Sequence, residues 1–445
     1  MTKDLTCGNP GSVLIKFTLP MFVGVIFQQL YNIADSVIAG HFVGEDALAA
    51  VGASYPITMI FMSIAIGFQS GCSVVISHFF GAKDYKAVKT CISTSLIMSL
   101  ALSLMLTATG FAISTPLMKL VKTPANIFED GQLYLNIYIL GFGFVFLYNV
   151  TTGIFNSLGD SRTPLVFLIG SSVGNILLDL LLVIAFDMGV AGVAWATFIA
   201  QGIACILSLI VLLVRVRGIK SEQRPNLISF GAMKSISSIA VPSIFQMSFV
   251  SVGNMFVQSL VNSFGSSVIA GYSAAIKLNT FAVTSFSTMS NSVSSFTAQN
   301  LGGKMPERVT KGFSAGLKLG LSLAAVFFAI YFIFPKYVLG IFMDDDATAL
   351  ALKTGTEFLR IVSPFYFFVC TKVICDGVLK GSGCMLQFML ATFTDLLLRV
   401  VLAFVLSGFW GAVGIWRAWP VSWAIATVMS YLFYKKGSWK KGYYQ

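Results

Sequence analysis

The stretch GNILLDLLLVIAF, residues 174–186, places one acid, Asp179, among leucine, isoleucine, valine and phenylalanine, with Asn175 one helical turn before it. The apolar run around it extends from about residue 164. That is the roughly 20 residues a helix needs to cross a hydrocarbon core of about 30 Å at 1.5 Å per residue. An ionised carboxylate at the centre of such a helix costs about 2.5–3.5 kcal/mol on insertion scales. The stretch therefore reads as a membrane span that carries a costly acid for a reason.

Its surroundings agree. Of 445 residues, 56% are hydrophobic and only 11% charged, whereas soluble domains carry about 25% charged residues. Twelve apolar runs of spanning length follow one another between residues 14 and 434. Backbone polar groups inside lipid must be satisfied within the segment, and the alternating pattern of a membrane barrel is missing, so the runs are expected to be helices. The fold expected is an all-α integral membrane protein with twelve transmembrane helices.

The net charge of +11 is distributed as a topology signal. Lys83, Lys86 and Lys89 follow the second run, and Arg215, Arg217, Lys220 and Arg224 the sixth. Lys304, Arg308 and Lys311 follow the eighth, and Lys435, Lys436, Lys440 and Lys441 close the chain. The opposite loops hold Lys119, Lys122, Lys336 and Lys353 beside Glu45, Asp46 and the run Asp344, Asp345, Asp346. Cytoplasmic loops carry the excess of Lys and Arg, so both termini are expected in the cytoplasm of a multi-pass inner-membrane protein, with no nucleic-acid partner. Pro20 interrupts the first run and no cleavage site follows, so a removable signal peptide is not expected. The seven cysteines are scattered and read as small core hydrophobes.

The chain repeats itself. FFGAKDYKAV at 79–88 is echoed by QNLGGKMPERV at 299–309, and MGVAGVAW at 188–195 by WGAVGIW at 410–416. Pro20 and Pro242, Asn32 and Asn254, Gly159 and Gly381, Gly189 and Gly411, and Gly192 and Gly414 all pair at an offset of 221 or 222. The expected organisation is an N-lobe over 1–214, a cytoplasmic linker over 215–234 and a C-lobe over 235–445. Six spans per half return the chain to the same side, so the lobes should be related by a pseudo-two-fold axis along the membrane normal, as in transporters with parallel repeats.

Polar residues mark the interior of the spans. Gln28, Asn32 and Asp35 fall at i, i+4 and i+7 on one helical face, as Asn175 and Asp179 do on another. Thr197 lies on the sixth run. Carboxylate, amide and hydroxyl oxygens suit a hard cation such as Na⁺, and neighbouring buried carboxyls equally suit a proton. Separate interhelical hydrogen bonds would account for Asn175 or Thr197 alone, but two intramembrane acids point to function. In the second half, Ser251, Asn254 and Gln258 share a face of the seventh run, and Lys277 has no sequence-local partner. Lys372 with Asp376 and Asp395 with Arg399 are spaced to pair along single helices. His41 and His78 lie near loop edges, and His78 aligns with Gln299 in the repeat, so that position does not require a titrating group.

LPMFVGVIFQQLYNIADSVIAGHFVG at 19–44, GNILLD at 174–179 and AGVAWAT at 191–197 resemble the multidrug and toxic compound extrusion (MATE) transporters, over essentially the whole chain. The pattern is most similar to the DinF-like, Na⁺-binding branch. The resemblance implies a cation site of Asp35, Asn175, Asp179 and Thr197, and a bend at Pro20. Gln28, Asn32, Ser251, Asn254, Gln258 and Lys277 are cavity-lining candidates, since the two-lobe repeat implies a central cavity. Val369 stands where NorM-like members carry an extra acid. The function implied is a monomeric, cation-coupled antiporter that exports amphipathic organic compounds, with Na⁺ or H⁺ as coupling ion and no cofactor. A lipid-linked saccharide flippase is the alternative. No metalloprotease, nucleophile-elbow or phosphate-loop motif is present, so the chain is not expected to be an enzyme.

Overall fold

The computed structural model describes residues 4–38, 42–121, 123–221, 223–343 and 348–441. His41, Lys122, Asp344, Asp345 and Asp346 lie outside these, and so do the side chains of Asp35, Glu45 and Asp46. The described residues form α1 (Pro10–Ile38), α2 (Glu45–Gly81), α3 (Tyr85–Leu120), α4 (Phe128–Ser157), α5 (Arg162–Leu180), α6 (Gly189–Gly218), α7 (Phe230–Asn262) and α8 (Ser266–Gly302). There follow α9 (Pro306–Ile333), a single-turn α10 (Pro335–Leu339), α11 (Ala349–Val362), α12 (Tyr366–Gly381), α13 (Met385–Trp410) and α14 (Ala412–Lys436). Helices α11 and α12 make one span, broken by a 3₁₀ turn at Ser363–Phe365. Pro364 within that turn cannot donate the backbone hydrogen bond that would continue an α-helix. With α10 set aside, twelve membrane-spanning segments result, as the apolar runs require.

Ten of them are apolar enough to cross a membrane by length and composition alone. The other two are α8 and α14. Helix α8 is rich in Ser, Thr and Asn, and Ser285, Ser292, Ser294 and Asn300 are all buried. Ser285 donates along the helix to Phe281 O at 2.7 Å and Ser292 to Thr288 O at 3.1 Å. Protein, not lipid, surrounds this polar face, which membrane helices tolerate.

The chain divides into two compact units. One holds Leu19–Ile244, and the other holds Leu5–Thr18 together with the chain from Phe245 onward. The sequence boundaries at 214 and 235 differ from this at both ends, because the first turns of α1 and of α7 pack with the other half. Gly71 of α2 lies against Ala240 of α7, and Gly316 of α9 lies against Leu14 of α1. Pro20 and Pro242 each stand within two residues of such a crossover.

Backbone geometry confirms the repeat and corrects one pairing. Gly189 (φ 53°) and Gly411 (φ 57°) open α6 and α14 in the left-handed region, and Lys83 (φ 58°) and Lys304 (φ 56°) share it as well. The left-handed partner of Gly159 (φ 74°), however, is Gly383 (φ 78°), not Gly381. Matching turn bonds, Asp160 N to Phe155 O and Cys384 N to Leu379 O, fix the same register. The offset is therefore 224 entering α5 and α13 but 222 entering α6 and α14. The first half fits two extra residues between them. A π-helical turn at Leu181–Ala185 and a left-handed Asp187 (φ 51°) occupy that interval, just beyond Asp179. Such π turns cluster at functional sites.

Candidate functional site

Helices α5 and α6 pack as neighbours within the first unit. On the buried face of α5 lie Ser172, Asn175 and Asp179, at the i, i+3, i+7 spacing that stacks side chains on one face. Asn175 is 2% exposed and Asp179 fully buried. The Asn175 carboxamide bridges two partners. With its nitrogen turned towards the acid, Nδ2 donates to Asp179 Oδ2 at 2.9 Å, and Oδ1 accepts from Thr197 N at 3.0 Å. In the reversed orientation its nitrogen would face Thr197 Oγ1 at 3.4 Å. The first orientation leaves donors facing acceptors on both sides, which a buried amide requires. Thr197 also borders a small cavity that Tyr134, Tyr138, Phe198 and Gln201 line from α4 and α6.

The structure thus brings together Asn175, Asp179 and Thr197. Asp35 lies on α1 in the same unit, but its side chain is outside the described ones. Pro20 sits inside an α1 that continues past it. Gln28 and Asn32 are exposed on α1, and Asn32 Nδ2 donates to Gln29 Oε1 at 3.4 Å. In the second unit, Ser251 donates to Met247 O at 3.2 Å, Gln258 Nε2 to Asn262 Oδ1 at 2.8 Å, and Asn254 is exposed. Lys277 is exposed, with Nζ 5.9 Å from the centre of the Phe342 ring.

The two i, i+4 charge pairs expected in the second unit both form. Lys372 Nζ lies 2.8 Å from Asp376 Oδ2, whose other oxygen accepts from Ser430 Oγ at 2.7 Å. Arg399 Nη2 donates to Asp395 Oδ2 at 2.9 Å, and its guanidinium lies 4.3 Å from the Trp419 ring centre. Among the described residues no group of three His, Cys, Asp or Glu could hold a metal ion. One carboxylate with an amide and a hydroxyl suits a monovalent cation or a proton.

Two buried polar clusters escaped the sequence reading. Asp160, 4% exposed, accepts from the backbone N–H groups of Arg162 and Thr163 at 3.1 Å and from Thr163 Oγ1 at 2.7 Å, and it pairs with Arg215. Its signal in the sequence is an aspartate just before a helix start, where a carboxylate can accept from the first free N–H groups. In the second unit, Leu5 N donates to Gln299 Oε1 at 3.0 Å while Arg308 Nη1 donates to Gly8 O at 2.8 Å. In the sequence Arg308 stands only among the topology charges.

Comparisons with known proteins follow the same lines. The chain is 28% identical over 439 residues to the probable multidrug resistance protein YpnP of Bacillus subtilis, covering 98% of this chain and 97% of that one. It is 24% identical to the probable multidrug resistance protein NorM of Thermotoga maritima, covering 96% and 93%. A transporter of the MOP superfamily from Pyrococcus furiosus has the same fold, with a TM-score of 0.91 at 21% identity and 97% of each chain covered. A multidrug resistance MATE family transporter in an outward-facing conformation matches with a TM-score of 0.90 at 22% identity, again over 97% of each. The MatE family profile matches residues 20–181 and 242–405, and the chain belongs to that family, a membrane transporter and not an enzyme.

Proposed function

We propose that this protein exports amphipathic organic compounds across the cell membrane, driven by Na⁺ or H⁺ entering through a site of Asp35, Asn175, Asp179 and Thr197. The observation that carries this reading is the Asn175 bridge. An amide that donates to Asp179 stands in for a positive partner while no cation is bound. A half-turn of the carboxamide would replace its nitrogen by oxygen, a ligand for Na⁺ beside the carboxylate. A proton on Asp179 would release the same hydrogen bond. Either ion changes what Asn175 does, and α5 and α6 feel the change at Thr197. Only an ion or substrate that binds two conformations unequally can shift the balance between them. Pro20, beside the crossover in α1, is the proposed hinge, and Gln28, Asn32, Ser251, Asn254, Gln258 and Lys277 are proposed to line the substrate path. Both termini and the 215–234 loop are assigned to the cytoplasm, and the protein to a monomer without cofactor.

Multidrug names among the relatives support a drug-like substrate class over the lipid-linked saccharide of a flippase. Efflux of a fluorescent cationic dye from proteoliposomes, driven separately by a Na⁺ gradient and a pH gradient, tests the reading. Dye movement that responds to neither gradient would overturn it.

A further inference from the structure

The register correction gives the second unit a counterpart of the Asn175 site with different contents. At the offset of 224 fixed by the Gly159 and Gly383 turns, Asn175 corresponds to Arg399 and Asp179 to Ala403. The sixth helices agree independently. Thr197 lies five residues after Gly192, and Trp419 five after Gly414. Asn175 contacts Thr197, and Arg399 lies over Trp419. So where the first unit has an amide with an acid one turn later, the second has a guanidinium with a buried alanine one turn later.

We infer that Arg399 is a tethered cation filling the second unit's counterpart of the ion site, so that this unit binds no coupling ion. Asp395, one turn before Arg399, is its counter-charge. Both side chains are buried, 6% and 7% exposed, in a helix that crosses the membrane, and the pair is incompletely satisfied. Asp395 Oδ1 and Arg399 Nε have no hydrogen-bond partner among the described residues. A pair kept only as a staple gains little from such geometry, because desolvation offsets most of the attraction. What the guanidinium does supply is a permanent positive charge against Trp419. Its planar, delocalised cation suits stacking on an indole. The number of ions carried per cycle is then set by the first unit alone.

The inference rests on the first-unit ion site proposed above, and its test separates the two. Full-length protein in detergent would be assayed for bound ²²Na⁺ per chain and, by difference infrared spectroscopy, for protonated carboxyl groups. Arg399→Gln frees Asp395, which should gain either one Na⁺ or one carboxylic-acid band over wild type. Asp395→Asn/Arg399→Gln should lose that gain, and Arg399→Lys should not show it. If Arg399→Gln does not fold, the neutral double variant still decides, since its Na⁺ count must equal that of wild type. A lower count would make Asp395 an ion ligand already and overturn the inference, as would a folded Arg399→Gln with neither signal. Repeating the series on Asp179→Asn isolates the first-unit reading. That reading fails if Asp179→Asn changes neither bound Na⁺ nor the carboxyl signal, while the Arg399 comparison is still read against its own parent.

Discussion

Arg215, in the last turn of α6, pairs with Asp160, whose carboxylate also caps the start of α5. One buried acid thus ties together the ends of the two helices that carry Asn175, Asp179 and Thr197. The tie lies fifteen residues before Asn175 in the chain, so it governs how the helices pack and not what they bind.

Asp160→Ala removes the cap and leaves Arg215 without its carboxylate. Losing one partner of a buried pair costs roughly 3–5 kcal/mol, and the partial exposure of Arg215, 24%, moves the expectation to the low end. Thermal unfolding in detergent should show Asp160→Ala lowering stability by about 3 kcal/mol. Arg215→Ala should cost less, since Asp160 keeps its bonds to Arg162 and Thr163. Equal losses would contradict the capping role.

Asp376 is expected to matter for folding. It holds Lys372 and accepts from Ser430 of α14. Asp376→Ala strands a buried ammonium and should reduce the yield of folded protein sharply, whereas Lys372→Met/Asp376→Leu should restore most of it, because apolar replacement of a whole buried pair is near neutral. A double variant no better than the single one would mean the pair does more than hold α12.

The basic loops give a topological prediction. In a cysteine-free background, Lys220→Cys should react with a membrane-impermeant maleimide only after the cells are opened. Ready labelling of intact cells would invert the orientation.

Much of this was legible in the sequence, for identifiable reasons. Apolar runs fix all twelve spans because lipid demands them, and α8 and α14, the two more polar ones, are tolerated because protein contacts excuse their polarity. The i, i+4 spacing alone foretold Asn175 with Asp179, Lys372 with Asp376 and Asp395 with Arg399. The crossovers of α1 and α7 were hidden because a helix continues smoothly from one unit to the other, so no composition changes at Thr18 or Ile244. The register of α13 was hidden for a different reason. Gly381 and Gly383 are both small, and only the left-handed φ of Gly383 shows which one matches Gly159. With that pairing mistaken, Arg399 could not be seen in the place of Asn175.

Ion-driven efflux by Asp179→Asn tests the account most directly. The substitution keeps size while removing the charge. In proteoliposomes with a fluorescent cationic dye, wild type should respond to the coupling gradient and Asp179→Asn should fall to the leak rate with normal expression. Asn175→Ala should weaken coupling less severely, and adding it to Asp179→Asn should make matters little worse, because residues acting as a unit are not additive. Gradient-dependent efflux by Asp179→Asn at the wild-type rate would remove Asp179, and with it the α5–α6 site, from the mechanism.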